Sequence, residues 1–350
     1  MRFKRLWAIF NARNREFFRD RAAFGWNFLF PFLIILGFGV IFKGDYQAQF
    51  KVGLFPIDHG ASVHQPIDFL PESFAGFKAI SLVGFESRVQ GMDKLKYHKI
   101  DLLIETGTQP LRYWVSDSSP SGAIVERLLK GALVPPDSGE RFQKKDIQGI
   151  QIRYIDWLFP GVLGMNMMFS ALYGVGWVVV RYRKNGVLKR LKATPLTAFE
   201  YLAAQLLSRI FLLMFTLVIV WVGCDWILGF RVYGSLMNLF LVFLAGSTCM
   251  TSLGLVIASR GTSEEFTNGL LNFISWPMMF LSEVWFSIEG APGWLQASAK
   301  IFPLTHLLKA ARQVMNEGEG LLAVMPEISI LCAMTVTFLL VGATLFSWNK

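Results

Sequence analysis

Uncharged apolar runs punctuate the chain. Five are long, at 24–42, 157–180, 232–259, 266–282 and 328–349. A sixth, 210–224, is bounded by Arg209 and Asp225. It reaches spanning length, as 206–228, when its charged ends snorkel to the interface. A hydrocarbon core of about 30 Å is crossed by about 20 residues rising 1.5 Å each. Six such runs in 350 residues are too many for the buried core helices of a soluble protein. The predicted fold class is an α-helical integral membrane protein with six transmembrane helices and an inserted small α/β extracytoplasmic domain.

That insertion is residues 43–156, too long for a structureless loop. Segments 50–55, 77–83, 100–104 and 111–115 read as short strands, and 87–96 and 121–133 as helices. Pro135-Pro136 breaks the second helix. Strands alternating with helices predict a small α/β unit. His59, His64 and His98 are scattered there without metal-ligand spacing and read as surface residues. Serine, histidine and aspartate are all present, but no nucleophile elbow frames a serine, so nothing in the sequence points to hydrolysis.

Residues 3–21 show a different period. Phe3, Leu6, Trp7, Phe10, Phe17 and Phe18 share about a third of a helical wheel, with most of the cations opposite. An amphipathic helix lying in the interface over 1–23 fits, as does a generic basic anchor. The first run is longer than a signal-peptide core and no small-x-small site follows Phe42, so a retained span is expected. Segment 181–200 places Val187, Leu188 and Leu191 at helical spacing among cations, and Pro195 ends that helix. Spacing alone fits a topology-setting loop at least as well as a helix that docks on a soluble partner. Region 283–327 carries Pro292, Trp294, Pro303 and Pro326; its 294–313 stretch has helical character but is too short and charged to span. Re-entrant or interfacial helices fit it best.

Composition agrees with the runs. Apolar types make up 53% and charged types 17%, with 32 Phe and 11 Trp, which excludes a disordered chain. Three cysteines exclude a disulfide scaffold; Cys224, Cys249 and Cys332 fall in or beside spans and behave as small apolar residues. The net charge of +9 suggests either nucleic acid or an acidic surface. Its location decides. Segment 1–23 has seven cations against Glu16 and Asp20, and 181–200 has six against Glu200, a net of +5 in each, so the remainder sums to −1. Basic residues beside span ends mark the cytoplasmic side. Both segments are therefore predicted inside, 43–156 outside, and both termini cytoplasmic in a multi-pass inner-membrane protein. Trp26, Trp177, Tyr182 and Trp348 would mark inner span ends and Trp157, Trp221, Trp226 and Tyr233 outer ones. The partner implied by the charge is a lipid membrane, not nucleic acid.

Polar residues inside the runs share faces. Asn166, Ser170 and Tyr173 recur at i, i+4, i+7 on the second run, and Asn268, Asn272 and Ser275 do so on the fifth. Polar groups are costly in lipid, so both faces are expected to turn toward protein or a cavity, as helix–helix contacts or as a substrate path. Met167, Met168 and Phe169 fit either ordinary packing or the lining of an apolar pathway.

Together these elements resemble a type-2 ABC transporter permease. Gly186, Leu188, Arg190, Leu191, Thr194 and Pro195 match that family's cytoplasmic Arg-Glu-x-Gly-Thr-Leu-Glu-Arg-Leu-x-x-Thr-Pro pattern, with Asn185 and Lys189 replacing its acidic residues. A second match runs from Ser263-Glu264-Glu265 through Asn272, Pro277 and Ser282 to Ala291-Pro292-Gly293-Trp294-Leu295. It continues into Phe302-Pro303-Leu304-Thr305-His306 and Arg312. Glu283 departs from the glycine common after that serine and sets a carboxylate near the outer mouth.

The resemblance implies that the N-terminal helix, with Trp7, Phe10 and Phe17, is a connecting helix. It implies that 183–197 is a coupling helix seated on a separate ATPase, with Arg183, Gly186, Leu188, Lys189, Arg190, Leu191, Thr194 and Pro195 as coupling residues. Asn166, Ser170, Tyr173, Asn268, Asn272, Ser275 and Glu283 are the expected substrate path. No GxxxxGK loop occurs in the chain, so ATP and Mg would belong to the partner ATPase, and the chain itself would bind no cofactor and catalyse nothing. A second permease copy or paralogue is a further implied partner, and a periplasmic adaptor is left open. The expected function is the permease subunit of an ATP-driven ABC exporter of a hydrophobic or amphipathic substrate such as a drug, lipid or related metabolite. Two other classes compete. One is a membrane-anchored receptor or regulator whose outer domain senses a ligand. The other is a secondary transporter or channel, against which the lack of charge pairs within the spans argues.

Overall fold

The computed structural model describes residues 2–41, 50–56, 70–77, 79–96, 99–107, 111–116, 119–133, 153–261, 263–288 and 291–346. His59, His64, His98, Pro135, Pro136 and Trp348 lie outside the described residues. The chain is mainly helical and divides into two compact units, residues 1–43 with 151–350, and residues 44–150.

The chain opens with α1 (Arg2–Arg19) and α2 (Arg21–Ile41). The intervening break bends the pair by 62° between Lys4–Arg19 and Phe24–Gly39. The smaller unit follows with β1 (Phe50–Phe55), α3 (Glu72–Ala75), β2 (Ile80–Gly84), α4 (Arg88–Lys96), β3 (Leu102–Glu105), β4 (Tyr113–Val115) and α5 (Pro120–Leu133). Its sheet has the order β2-β1-β3-β4, with β1 parallel to β2 and β3, and β4 antiparallel to β3. Alternation along the strands feeds two cores. Val52, Leu54, Leu102 and Ile104 pack with Val125 and Leu129 of α5, while Phe55 and Leu103 pack with Phe85 and with Leu95 of α4. A helix on each face explains why β3 is apolar at three successive positions, Leu102, Leu103 and Ile104, all fully buried.

The larger unit continues with α6 (Tyr154–Leu172), a π-helical turn (Tyr173–Trp177), α7 (Val178–Lys184), the short α8 (Val187–Lys192), α9 (Ala198–Leu228) and α10 (Leu236–Arg260). It ends with α11 (Glu264–Leu281), α12 (Gly293–Ala299), α13 (Pro303–Glu317) and α14 (Leu321–Leu345). Among the described residues, four stretches are long and apolar enough to cross a membrane: Tyr154–Lys184, Ala198–Leu228, Leu236–Ser259 and Leu321–Leu345. The bent α1–α2 pair makes a fifth if it is one span. Helix α11, whose 18 residues include Glu264, Glu265, Asn268 and Asn272, is not among them.

Helix ends are set by capping rather than by hydropathy. Thr197 and Glu200 form a reciprocal capping box, so α9 begins well before the apolar run at 210. The 294–313 stretch is not one helix. Pro303 cannot donate a backbone N–H, and it starts α13 as a first-turn residue after α12 has ended at Ala299. The core of this unit gathers α6, α9, α10, α11 and α13 around side chains such as Phe159, Met168, Met250, Leu271 and Leu308.

Candidate functional site

The second run's polar face lines a cavity. Asn166, Ser170 and Tyr173, on α6 and the start of the π turn, border a space of about 640 Å³. Trp26 and Phe30 of α2, Phe169 of α6, Trp276 and Met279 of α11, and Trp285 supply its apolar wall. Drug-sized ligands occupy spaces of roughly this volume, with apolar walls and a few placed polar groups.

The polar side of the cavity is a small network. Asn166 Nδ2 donates to the Asn27 carbonyl at 3.4 Å, and the Ser170 hydroxyl donates to Asn27 Oδ1. Arg209 of α9 completes it: its Nη2 donates to the Ser170 carbonyl. The guanidinium lies against Gly174, where any Cβ would overlap it, so a side chain there would displace Arg209 from this position. Asn27 and Arg209 escape a reading of spacing. Asn27 is one polar residue in an apolar run, and Arg209 marks the edge of another.

Asn268, Asn272 and Ser275 share a face of α11 but lie outside this lining. The Asn272 amide donates to the Asn268 carbonyl at 3.0 Å, and Ser275 is buried. Glu283 belongs to a third cluster. Its carboxylate accepts from the Ile288 N–H at 3.0 Å and faces Arg312 Nη1 at 3.5 Å. Arg312 stacks over the Trp157 ring, with Cζ 3.8 Å from its centroid.

The coupling candidates split by orientation. Gly186 adopts φ 69°, a left-handed turn that reverses the chain ahead of α8. Leu188 is fully buried against Val175, Val179, Tyr201 and Leu255, with Leu191 packed at the edge of the same cluster. Arg183 also turns inward; its guanidinium donates to the carbonyls of Ala258 at 3.1 Å, Ser259 at 3.2 Å, and Gly261. Lys189, Arg190, Thr194 and Pro195 are exposed. The short helix thus presents cations outward from an apolar base rooted in its own chain.

Helix α1 is held to the same end of the bundle. Asn14 and Ser208 share a hydrogen bond of 2.6 Å, and Phe10 packs on Phe211 with centroids 5.8 Å apart. Phe17 sits against Phe24, 6.1 Å away, while Trp7 is half exposed and stacked on Phe10. Arg5 donates to the Pro195 carbonyl, so the start of α1 meets the end of the α8 segment. Arg13 and Glu16 both bond the Tyr182 hydroxyl. Ahead of the fifth apolar run, the Ser263 hydroxyl donates to Glu265 at 2.6 Å. That bond, the Glu265 backbone N–H and the Lys184 ammonium hold the Glu265 carboxyl below the usual range.

Residues 122–316 match the family described as ABC-2 type transporter. Among curated proteins, the chain is 27% identical over 175 residues to the daunorubicin resistance ABC transporter permease protein DrrB1 of Streptomyces coeruleorubidus, covering 48% of this chain and 59% of that one. It is 26% identical over 195 residues to the inner membrane transport permease YhhJ of Escherichia coli (strain K12), covering 54% and 51%. It is 22% identical over 213 residues to the probable multidrug ABC transporter permease YbhR of the same organism, covering 61% and 57%. The chain thus spans little more than half the length of the curated relatives it matches. With more than half of its residues inside the family match, and several apolar helices around them, the chain belongs to the ABC-2 type transporter family.

Proposed function

We propose that the chain is the permease subunit of an ATP-driven exporter, moving a hydrophobic or amphipathic substrate such as a drug or lipid outward across the cytoplasmic membrane. In this reading six spans cross the bilayer, counting α2 and α11, both termini are cytoplasmic, and 43–156 faces outward, available to a periplasmic adaptor. A separate ATPase subunit binds ATP and Mg, and a second permease copy closes the substrate path.

One observation carries the reading: exposed Lys189 and Arg190 stand on a helix whose Leu188 is buried among α9, α10 and the π turn. A push on α8 therefore reaches the bundle without an intervening flexible joint. The exposed cations suit an acidic groove on the ATPase, and the Arg5 bond to Pro195 makes α1 a second point of contact. The aromatic cavity supplies an apolar path.

The test is biochemical. Purification from native membranes should recover a Walker-motif ATPase with the chain, and inside-out vesicles should take up substrate only with ATP. Reversing charge at Lys189 and Arg190 should abolish that uptake while leaving the chain folded. A chain free of any ATPase that still transports in liposomes would overturn the reading.

A further inference from the structure

Among the described residues, nothing beside the cavity neutralises the charge it holds. Among the described residues, Arg209 has no carboxylate partner, and no aspartate or glutamate lines the cavity. Its Nε is buried without a hydrogen-bond partner, and its bond to the Ser170 carbonyl uses one of five N–H groups. Another cation, Arg13, donates to the carbonyl of Gly174, the residue that Arg209 lies against, at 3.4 Å. Arg13 is paired with Glu16 at 2.6 Å; Arg209 is not so paired. An intramembrane cation facing a cavity marks a substrate or ion site when it lacks an internal partner.

A structural role is the alternative to weigh. The Ser170 carbonyl lies just ahead of the π turn and accepts from the Tyr173 N–H, and Arg209 adds a second donor to it. A neutral glutamine would cap one carbonyl as well, so capping does not require a permanent charge. The surroundings point elsewhere: Trp26, Trp276 and Phe169 offer flat apolar surface beside the guanidinium, which itself binds carboxylate, sulfonate or phosphate in bidentate fashion.

From the unneutralised Arg209 and this aromatic wall, we propose that the cavity binds amphipathic anions, each with a planar apolar body and one carboxylate, sulfonate or phosphate group. The apolar body lies against the tryptophans and the anionic group meets Arg209. Neutral molecules of the same shape bind more weakly, and cationic ones more weakly still. This specificity rests on the permease reading for its physiological meaning, but its binding chemistry does not depend on the ATPase.

The test uses the full chain in phosphatidylcholine nanodiscs and three probes sharing one ring system: 1-pyrenebutyrate, its methyl ester, and 1-pyrenebutyl-trimethylammonium. Probe anisotropy is read against empty nanodiscs. The anion should bind at least tenfold more tightly than the ester, and the cation least. Arg209→Gln should bring the anion down to the ester's affinity, and Arg209→Lys should keep part of the preference. Equal affinity for anion and ester in the unmodified chain would overturn the proposal, whether or not Arg209→Gln folds. So would a preference that survives in folded Arg209→Gln. Anion-selective binding without ATP-driven uptake would instead defeat the export reading and leave this one standing. Uptake with no preference for the anion would do the reverse.

Discussion

Glu283 holds a left-handed backbone, φ 61°, while its carboxylate faces the buried guanidinium of Arg312 at 3.5 Å. Arg312 Nη2 also donates to the Glu283 carbonyl at 2.5 Å, and its Nε to the Trp157 carbonyl at 3.3 Å. One arginine thus joins α13, the start of α6 and the turn after α11. Glycine would suit this positive φ; Glu283 adopts it with its carboxylate held by Arg312 and the Ile288 N–H.

Replacing Glu283 with Gly sets two effects against each other. Relief of a left-handed backbone returns about 1–2 kcal/mol. Leaving Arg312 buried without its carboxylate costs about 3–5 kcal/mol. The larger effect wins, and Glu283→Gly should be destabilised by about 2 kcal/mol despite its better backbone. Thermal unfolding in detergent, followed by thiol-dye labelling of buried Cys224 and Cys249, reads the change. A melting point at or above that of the unmodified chain would show the Arg312 contact to be worth less than the strain.

Two cations seven residues apart, Arg183 and Arg190, should behave oppositely. Arg183 serves three carbonyls at the end of α10, and hydrogen bonds to charged groups are worth about 1.5–3 kcal/mol each. Arg183→Ala should therefore cost about 3 kcal/mol or more and lower the folded yield. Exposed Arg190→Ala should stay within about 0.5 kcal/mol of the unmodified chain. Gel-filtration yield and melting point of the two variants check the contrast; equal losses would place Arg190 in the fold.

In the smaller unit, Glu126 accepts from Lys130 at 2.7 Å and from the Tyr113 hydroxyl at 2.9 Å. These bonds, Lys130 first, hold its carboxyl below the ordinary value. A carboxyl depressed in the folded state stabilises above its unfolded pKa, about 4.3, and that stabilisation fades as pH falls through the folded value. Hydrogen exchange in α5 should be slower in the unmodified chain than in Glu126→Gln at neutral pH, and the difference should close in acid. A difference that widens on acidification would contradict the assignment.

Periodicity carried much of the architecture. The phase of Phe10 and Phe17 against the cations points to α1, and strand-like segments at 50–55, 100–104 and 111–115 coincide with or overlap β1, β3 and β4. Local spacing also brought Asn166, Ser170 and Tyr173 onto one wall. It could not supply Asn27 or Arg209, which reach that wall from other helices, nor join Glu283 to Arg312 across 29 residues. The inward sense of Leu188 was hidden for a related reason. An apolar residue among cations reads as a docking face whether its partner is another protein or its own bundle, and here it packs against Tyr201 and Leu255.

The π turn at Tyr173–Trp177 inserts one residue's worth of winding into a continuous helical path from Tyr154 to Lys184. One residue is about 100° of rotation at 3.6 residues per turn. The turn therefore acts as a phase offset: the wall residues on one side and Arg183 on the other point where a regular helix would not aim them. Removing a single residue from 174–177 would preserve every side chain of the cavity wall and of α8, yet rotate one set against the other by about a quarter turn.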